Sequence, residues 1–134
     1  MNRAIAPEYS KAQHIDLVVP QRIKLTDKID LYWLDETQDD TVKLDMTWDA
    51  GSKYQSKKLT ASFTNALLLA GTDKLTANEI SEKIDFQGGY VSQDLDKDQG
   101  GVTLYGLSDK IETIFDIFSE NSSNAIFPKS EVEK

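Results

Sequence analysis

The sequence of 134 residues contains no cysteine and a single histidine, His14. Without cysteine the chain can form no disulfide, no cysteine zinc site and no thiol nucleophile. A lone histidine excludes multi-histidine metal sites within the chain and leaves no Ser-His-Asp triad except one built on His14 itself. Because its neighbours Glu8 and Asp16 are ordinary surface acids, we expect His14 to be an exposed or packed side chain rather than a ligand.

Long apolar runs are also missing, and cationic side chains are in the minority. The longest apolar stretch, residues 66–71, is far too short to cross a bilayer, and residues 1–7 lack the apolar segment of a secretory signal. The 15 Lys and Arg residues against 23 Asp and Glu residues give a net charge of −8. Since phosphate contacts need clustered Lys and Arg, we expect no nucleic-acid partner. The short apolar stretch leads us to expect no membrane insertion.

Period-two alternation of apolar and polar residues predicts four strands. Residues 29–33 and 42–50 are predicted to form a hairpin through the polar connection 35–40. Residues 90–95 and 102–107 are predicted to form a second pair around residues 96–101. Because one side of the alternating segments is apolar and the other polar, we expect a sheet that is covered on one face only.

Helical periodicity predicts three helices between and after these strands. An apolar stripe over residues 59–70, stopped by Gly71, predicts the first. The capping box of Thr76 and Glu79 opens the second, which Gly88-Gly89 ends. Ser108 or Asp109 is expected to open the third. The inward side chains of the second and third helices are predicted to be Ile80, Ile84, Ile111, Ile114, Phe115 and Phe118.

The resulting order, ββααββα, predicts an α+β fold in which helices pack on one face of an antiparallel-rich mixed sheet. Residues 1–23 are predicted to be an irregular amino-terminal strap. Residues 24–134 are predicted to be part of a domain that continues beyond this chain, since residues 130–134 have the pattern of an exposed helix start.

The acidic run at residues 94–98 has carboxylates at alternate positions, as calcium loops do. The pattern departs from that of a calcium loop, because Gln99 occupies the position of the turn glycine and Tyr105 that of the bidentate acid. Alternate aspartates in a strand pair point to one solvated face. We therefore expect a structural turn here.

An ordered set of short motifs runs through most of the chain. Asp49-Ala50-Gly51-Ser52-Lys53-Tyr54 precedes the helix that ends in Gly71-Thr72, and the capped helix, the double glycine and the segment 102–105 follow. The set resembles the amino-terminal half of the pitrilysin/insulinase-type, or inverted-zincin, metallopeptidases, the family that includes the mitochondrial processing peptidase. The resemblance extends from about residue 24 to the end and implies a LuxS/processing-peptidase-like metallopeptidase fold.

Active members of that family carry an inverted zinc motif, His-x-x-Glu-His, on the first helix. Histidines four residues apart share one helix face and can bind one zinc ion, while the glutamate activates the bound water. Alignment on Gly71-Thr72 places Ser62 and Ala66 at the histidine positions and Asn65 at the glutamate position. We therefore expect no catalytic residue, no metal ligand and no cofactor in this chain, with zinc confined to active relatives; the family's third ligand would lie beyond residue 134.

The resemblance also implies a peptide-binding edge. In active relatives an Asn-Ala pair on the strand after the double glycine lines the peptide cleft, and the aligned positions here are Ser92 and Gln93. An extended peptide can still pair with such an edge by strand addition. Ser92 and Gln93 are therefore the candidate cleft residues.

Together these features predict a catalytically inactive zinc-peptidase homologue, the non-catalytic domain or subunit that shapes a peptide-binding chamber. The implied partners are extended peptides and an active zinc-peptidase subunit or a second domain of the same chain. Two alternatives stay open: an active metallopeptidase whose metal site lies elsewhere in the full-length chain, and a stand-alone binding or structural module. The resemblance favours a periplasmic or cell-envelope location.

Overall fold

The computed structural model describes residues 17–35 and 39–133, and the chain divides into two compact units, residues 1–38 and 39–134. His14 and most of the predicted strap lie outside the described residues, and the predicted division after residue 23 stays a prediction. None of the helices in the described part of the chain is long and apolar enough to span a membrane.

The described part of the first unit is an antiparallel hairpin of β1 (Gln21–Lys24) and β2 (Asp30–Trp33). The backbone N–H groups of Leu25 and Thr26 both donate to the carbonyl of Ile29, which closes a tight local turn. The predicted hairpin of residues 29–33 with residues 42–50 is therefore wrong. Strand 30–33 pairs with the strand before it, because this short connection brings the two segments together at little loop-closure cost.

The second unit contains an antiparallel sheet of β3 (Thr41–Trp48), β4 (Tyr90–Leu95) and β5 (Gly100–Leu107) in the order β3-β5-β4. The predicted pair of residues 90–95 and 102–107 is confirmed, with β5 beginning two residues earlier than expected. Central β5 is the most buried strand, as expected for a strand paired on both sides. Among the described strands, β4 is at an edge.

The helices are α1 (Thr60–Ala66), α2 (Ala77–Phe86), α3 (Ile111–Ser123) and the short α4 (Lys129–Val132), and a 3₁₀ turn spans Ser52–Tyr54. The predicted capping box is present: Thr76 accepts a hydrogen bond from the N–H of Glu79, and the Glu79 carboxylate accepts one from the N–H of Thr76 at 2.8 Å. These hydrogen bonds hold the pKa of Glu79 below its ordinary value.

Two predicted helix boundaries are wrong. The first helix ends at Ala66 instead of residue 70, because the chain then continues in tighter turns. In one of them the N–H of Leu68 donates to the carbonyl of Asn65, three residues earlier instead of four. The third helix starts after Lys110, and neither Ser108 nor Asp109 caps it. The N–H of Lys110 bonds to the carbonyl of Leu107, which places both residues in a turn.

The core lies between the helices and one face of the sheet, as predicted for this α+β fold. Its buried apolar side chains are Ile80, Ile84, Val102, Leu104, Ile114 and Phe118. Phe115 was predicted to face inward but is 39% exposed. Ile114 and Phe118, four residues apart, occupy the buried stripe of α3, and the next residue along the helix is rotated away from it.

Gly106 allows α3 to approach the central strand closely. A Cβ atom built on Gly106 would lie 2.5 Å from Cδ1 of Ile114, which is fully buried. Any larger residue at position 106 must therefore displace the Ile114 side chain. Close packing of this pair holds α3 on the sheet.

We predict that Gly106→Ala destabilises the protein by about 1–3 kcal/mol, the usual cost of overpacking a core. Ile114→Val deletes the clashing Cδ1 at a cost of about 0.5–1.5 kcal/mol. The double variant should lose less stability than the sum of the two single variants, because the clash is gone. Urea denaturation of all four proteins measures this coupling, and strict additivity would contradict the proposed contact.

Candidate functional site

The segment after β3 folds back onto the β4–β5 turn through three backbone hydrogen bonds. The N–H groups of Gly51, Ser52 and Lys53 donate to the carbonyls of Asp98, Asp96 and Lys97 at 3.1, 2.9 and 2.9 Å. A Cβ atom on Gly51 would lie 2.4 Å from the carbonyl carbon of Asp98. Glycine is therefore required where the two backbones meet, which gives the Gly-Ser-x-Tyr segment a structural role.

The acidic run at residues 94–98 forms the hairpin turn that receives this segment. Oδ1 of Asp96 accepts hydrogen bonds from the N–H groups of Asp98 and Gln99, both at 2.6 Å. These two donors lower the pKa of Asp96. The Lys53 ammonium pairs with Asp98, which raises the pKa of Lys53. The acids thus serve the turn, and no group of three or more His, Asp or Glu side chains in residues 17–35 and 39–133 is placed to hold a metal ion.

Helix α1 carries the three positions that were predicted to match the family's zinc motif. Ser62 is half-buried, Ala66 is exposed and Asn65 is only 6% exposed. The Nδ2 group of Asn65 donates a hydrogen bond of 2.8 Å to the backbone carbonyl of Asp94 on β4. Because a carbonyl can only accept, this contact fixes the orientation of the amide, with Oδ1 on the other side.

These side chains do not fit a zinc site. The methyl group of Ala66 offers no lone pair, a serine hydroxyl is a poor neutral ligand, and the Asn65 amide is not basic enough to activate water. The amide nitrogen of Asn65 is already engaged with the sheet. The helix therefore attaches to β4 through Asn65, the residue predicted to replace the general base of active relatives.

An open cleft of ≈ 390 Å³ lies beside α1, between the end of β3, the 3₁₀ turn and the end of β4. Its lining residues are Trp48, Asp49, Ala50, Gly51, Tyr54, Gln55, Thr60, Ala61, Thr64, Asn65, Leu68 and Leu95. The Trp48 indole lies against Gly100, where a Cβ would come within 2.9 Å of Nε1. The cleft thus has aromatic and aliphatic walls with a few polar groups, of which Asn65 belongs to the motif.

Strand β4 presents backbone groups that β5 does not use. The hydrogen bond from the N–H of Asp96 to the carbonyl of Gln99 makes these residues a hydrogen-bonded pair, and pairs of this kind alternate along an antiparallel ladder. Ser92 therefore bonds toward β5, whereas the N–H and C=O groups of Val91 and Gln93 point away from it. Ser92 and Gln93 stay predictions as peptide-contacting residues.

Comparison with known proteins identifies the family. The family model described as "Insulinase (Peptidase family M16)" matches residues 33–134. The chain belongs to the M16 peptidase family. The resemblance predicted from the ordered motifs is thus confirmed for this unit. No curated protein sequence matches the chain.

Solved structures share the M16 fold. The structure described as a peptidase M16 inactive domain from Pseudomonas fluorescens superposes with a TM-score of 0.79 at 21% identity, covering 87% of this chain and 29% of that one. A protease from Helicobacter pylori superposes with a TM-score of 0.70 at 16% identity, covering 84% of this chain and 28% of that one. The chain therefore spans less than a third of the length of these relatives, and the similarity establishes the α+β fold.

The cleft was not predicted from the sequence. Of its lining residues, Asn65 was singled out in the sequence, but only as a position of the zinc motif. Trp48 and Leu95 are strand residues, and Tyr54 belongs to a motif interpreted only as a family marker. The sequence feature that could have indicated the cleft is Trp48-Asp49-Ala50-Gly51, at the end of the alternating segment. There an aromatic residue is followed by an acid and by a glycine at which another backbone segment approaches closely. Its meaning depends on the docking of residues 51–53 onto residues 96–98, which no local pattern encodes.

The hydrogen bond of Asn65 predicts a graded mutational response. Asn65→Ala should cost about 1 kcal/mol through the lost hydrogen bond. Asn65→Asp should cost more at neutral pH, because a carboxylate would face the Asp94 carbonyl and could not donate to it. Its folded-state pKa would be raised, so the extra loss should shrink as the pH falls below that pKa. Urea denaturation at neutral and acidic pH measures this, with the exposed amide variant Asn78→Ala as control; equal stability of all variants would refute the structural role.

The lowered pKa of Asp96 predicts an acid-dependent turn. A depressed carboxyl pKa gives stability that is present above the unfolded-state value and is lost as the pH falls through the folded-state value. Asp96→Asn keeps the Oδ1 acceptor but cannot titrate, so this variant should lose less stability on acidification than the parent. Thermal unfolding across acidic pH checks this, and parallel pH profiles would be the opposite result.

Proposed function

We propose that this chain is a non-catalytic M16 domain that forms one wall of a peptide-binding chamber, together with an active zinc-peptidase subunit or a second domain. The observation that carries the proposal is the chemistry of α1. Ser62, Asn65 and Ala66 stand where active members need two ligands and a base, and the Asn65 amide bonds to the sheet. The described similarity to an inactive M16 domain from Pseudomonas fluorescens supports it.

The binding part of the proposal depends on the open edge of β4. Backbone N–H and C=O groups at Gln93 point away from β5, so an extended peptide can add to the sheet there without breaking existing pairs. The net charge of −8 would favour peptides with basic stretches inside a closed chamber. Substrate recognition here would be backbone-directed, with Ser92 and Gln93 at the centre of the edge.

The alternative of an active peptidase with its metal site elsewhere has one supporting observation. The chain covers less than a third of its structural relatives, so a full-length protein of similar size has room for another domain. Zinc analysis of the dialysed full-length protein, and peptidase assays with and without a companion subunit, test both ideas. We expect no cleavage by the isolated protein and cleavage with its companion; stoichiometric zinc and cleavage by the protein alone would refute the non-catalytic proposal in favour of the alternative.

Strand addition predicts a position-specific effect of proline on β4. Gln93→Pro removes an N–H that points to the open edge, so the sheet should remain intact while the affinity for an extended peptide falls about tenfold or more, the equivalent of one or two hydrogen bonds. Gln93→Ala, which keeps that N–H, is the matched control and should bind normally. Fluorescence anisotropy with a labelled peptide measures the affinities, and circular dichroism checks the fold.

Two results would contradict strand addition. The first is unchanged peptide affinity in a folded Gln93→Pro variant. The second is equal binding of a peptide whose backbone nitrogens are methylated at alternate positions, because such a peptide cannot donate along the strand.

A further inference from the structure

Strand β3 forms the edge of its sheet opposite β4, and its outer side is unpaired among the described residues. The N–H of Ser108 donates to the carbonyl of Asp40, so the hydrogen-bonded pairs with β5 fall on every second residue from there. Within residues 17–35 and 39–133, no strand or turn bonds to the backbone of the residues between. The residues whose N–H and C=O groups point outward are Thr41, Lys43, Asp45 and Thr47.

The sequence of this strand is chemically symmetric about Leu44. On either side of it, Thr41-Val42-Lys43-Leu44-Asp45-Met46-Thr47 has a charged residue, an apolar residue and a threonine, and the two charges are opposite in sign. If two copies met antiparallel about an axis at Leu44, every residue would face a complementary one, as stable cross-strand pairs require. The facing pairs would be Leu44 with the partner's Leu44, Lys43 with the partner's Asp45, Val42 with the partner's Met46, and Thr41 with the partner's Thr47.

The backbone geometry permits this register. Lys43 and the partner's Asp45 would both bring outward-pointing N–H and C=O groups, so they can form a hydrogen-bonded pair. Leu44 would meet its own copy as a non-hydrogen-bonded pair, in which the side chains lie closest. An axis at Lys43 or at Asp45 would instead place two like charges directly opposite each other, which destabilises a sheet. The charges therefore select one register.

The apolar side of β3 is only partly covered. Val42, Leu44 and Met46 are half-buried, although Leu44 and Met46 touch the core cluster that contains Leu104. Helices α1, α2 and α3 pack mainly on β4 and β5. A neighbouring strand would take more of this apolar surface out of water, which favours association.

The charged side chains on the other face can serve a second strand as well as their own. Lys43 and Asp45 form an ion pair within β3 at 2.8 Å, and the Thr103 hydroxyl donates to Asp45 at 2.6 Å. An ammonium has three donors, so Lys43 can keep this contact and also bind the partner's Asp45. Charges on an edge strand generally discourage pairing. Here they would discourage every neighbour that lacks the complementary pattern.

We propose that β3 is a homodimer interface, at which two copies of this chain pair antiparallel about a twofold axis at Leu44. A twofold interface uses the same patch on both copies, and this strand has the self-complementarity that such an interface needs. The dimer would contain one continuous sheet in the order β4-β5-β3-β3-β5-β4. Both β4 edges stay at its ends, so the inference goes beyond the proposed function and leaves peptide addition at β4 possible.

Single-cysteine variants of the protein test the register, since the sequence contains no cysteine. The Cα atoms of a non-hydrogen-bonded pair lie about 4.5 Å apart, within the range that a disulfide spans. Leu44→Cys should therefore give a disulfide-linked dimer on mild oxidation. Val42→Cys, at a half-buried position on the same face, is the matched control and should not cross-link, because it faces the partner's Met46. No link at position 44, or equal linking of both variants, would overturn the register.

A charge-reversal cycle tests the interface without changing its apolar side. Sedimentation of the full-length protein over a concentration series gives the dimer Kd of each variant. Lys43→Asp and Asp45→Lys should each weaken the dimer about tenfold, because like charges then face each other twice per dimer, and the double variant should restore it. Lys74→Asp makes the same change of charge at an exposed position outside β3 and should leave the Kd unchanged.

Three outcomes would contradict the dimer. A parent protein that stays monomeric at high concentration would overturn it, and slow hydrogen exchange at Lys43 and Asp45 in that monomer would show that another segment of the full-length protein pairs with β3. A double variant as weak as the single variants would overturn the charge pairing. All three concern the edge opposite Gln93, so the peptide-binding result with Gln93→Pro stands or fails separately.

Discussion

A single amide-to-carbonyl hydrogen bond fixes the most buried side chain of α1 on the sheet. The Nδ2 group of Asn65 donates to the carbonyl of Asp94 and so joins the helix to the edge strand. A glutamate, the residue that the predicted motif alignment gives active relatives at this position, cannot donate to a carbonyl when ionised. The contact is thus available to an amide and denied to an ionised carboxylate.

The same residue connects the helix to the cleft. With Nδ2 engaged by Asp94, Oδ1 is left without a hydrogen-bond donor among the described residues. The side chains at the positions predicted to match the zinc motif, Ser62, Asn65 and Ala66, carry no charge. In the proposed function, the protein keeps the peptidase scaffold without performing chemistry on the peptide.

The sequence predicted local features well because their causes are local. The capping box of Thr76 and Glu79 and the buried pair Ile80 and Ile84 depend on residues within one or two helical turns. Strand pairing was predicted less well: residues 29–33 pair backward, since the tight turn at residues 25–29 competes with the longer connection at residues 35–40. Phe115 was misplaced because an apolar residue beside a buried stripe looks the same in sequence as one within it.

For the site, too, local features could be predicted from the sequence and contacts between distant segments could not. The apolar stripe over residues 59–70 predicted a helix, and Ser62, Asn65 and Ala66 do lie on α1. Their match to the zinc motif stays a prediction. Neither the bond of Asn65 to Asp94 nor the cleft between Trp48, Asp49 and Leu95 was predictable. Both need contacts between segments about 30 to 50 residues apart, such as the docking of Gly51 on Asp98.

The most direct test of the account is a crystal structure of the full-length protein grown with added zinc, with anomalous scattering measured at the zinc absorption edge. The account predicts no anomalous peak beside α1 and an Asn65 amide still bonded to the carbonyl of Asp94. A zinc ion in tetrahedral coordination by Ser62 and Asn65 would contradict it.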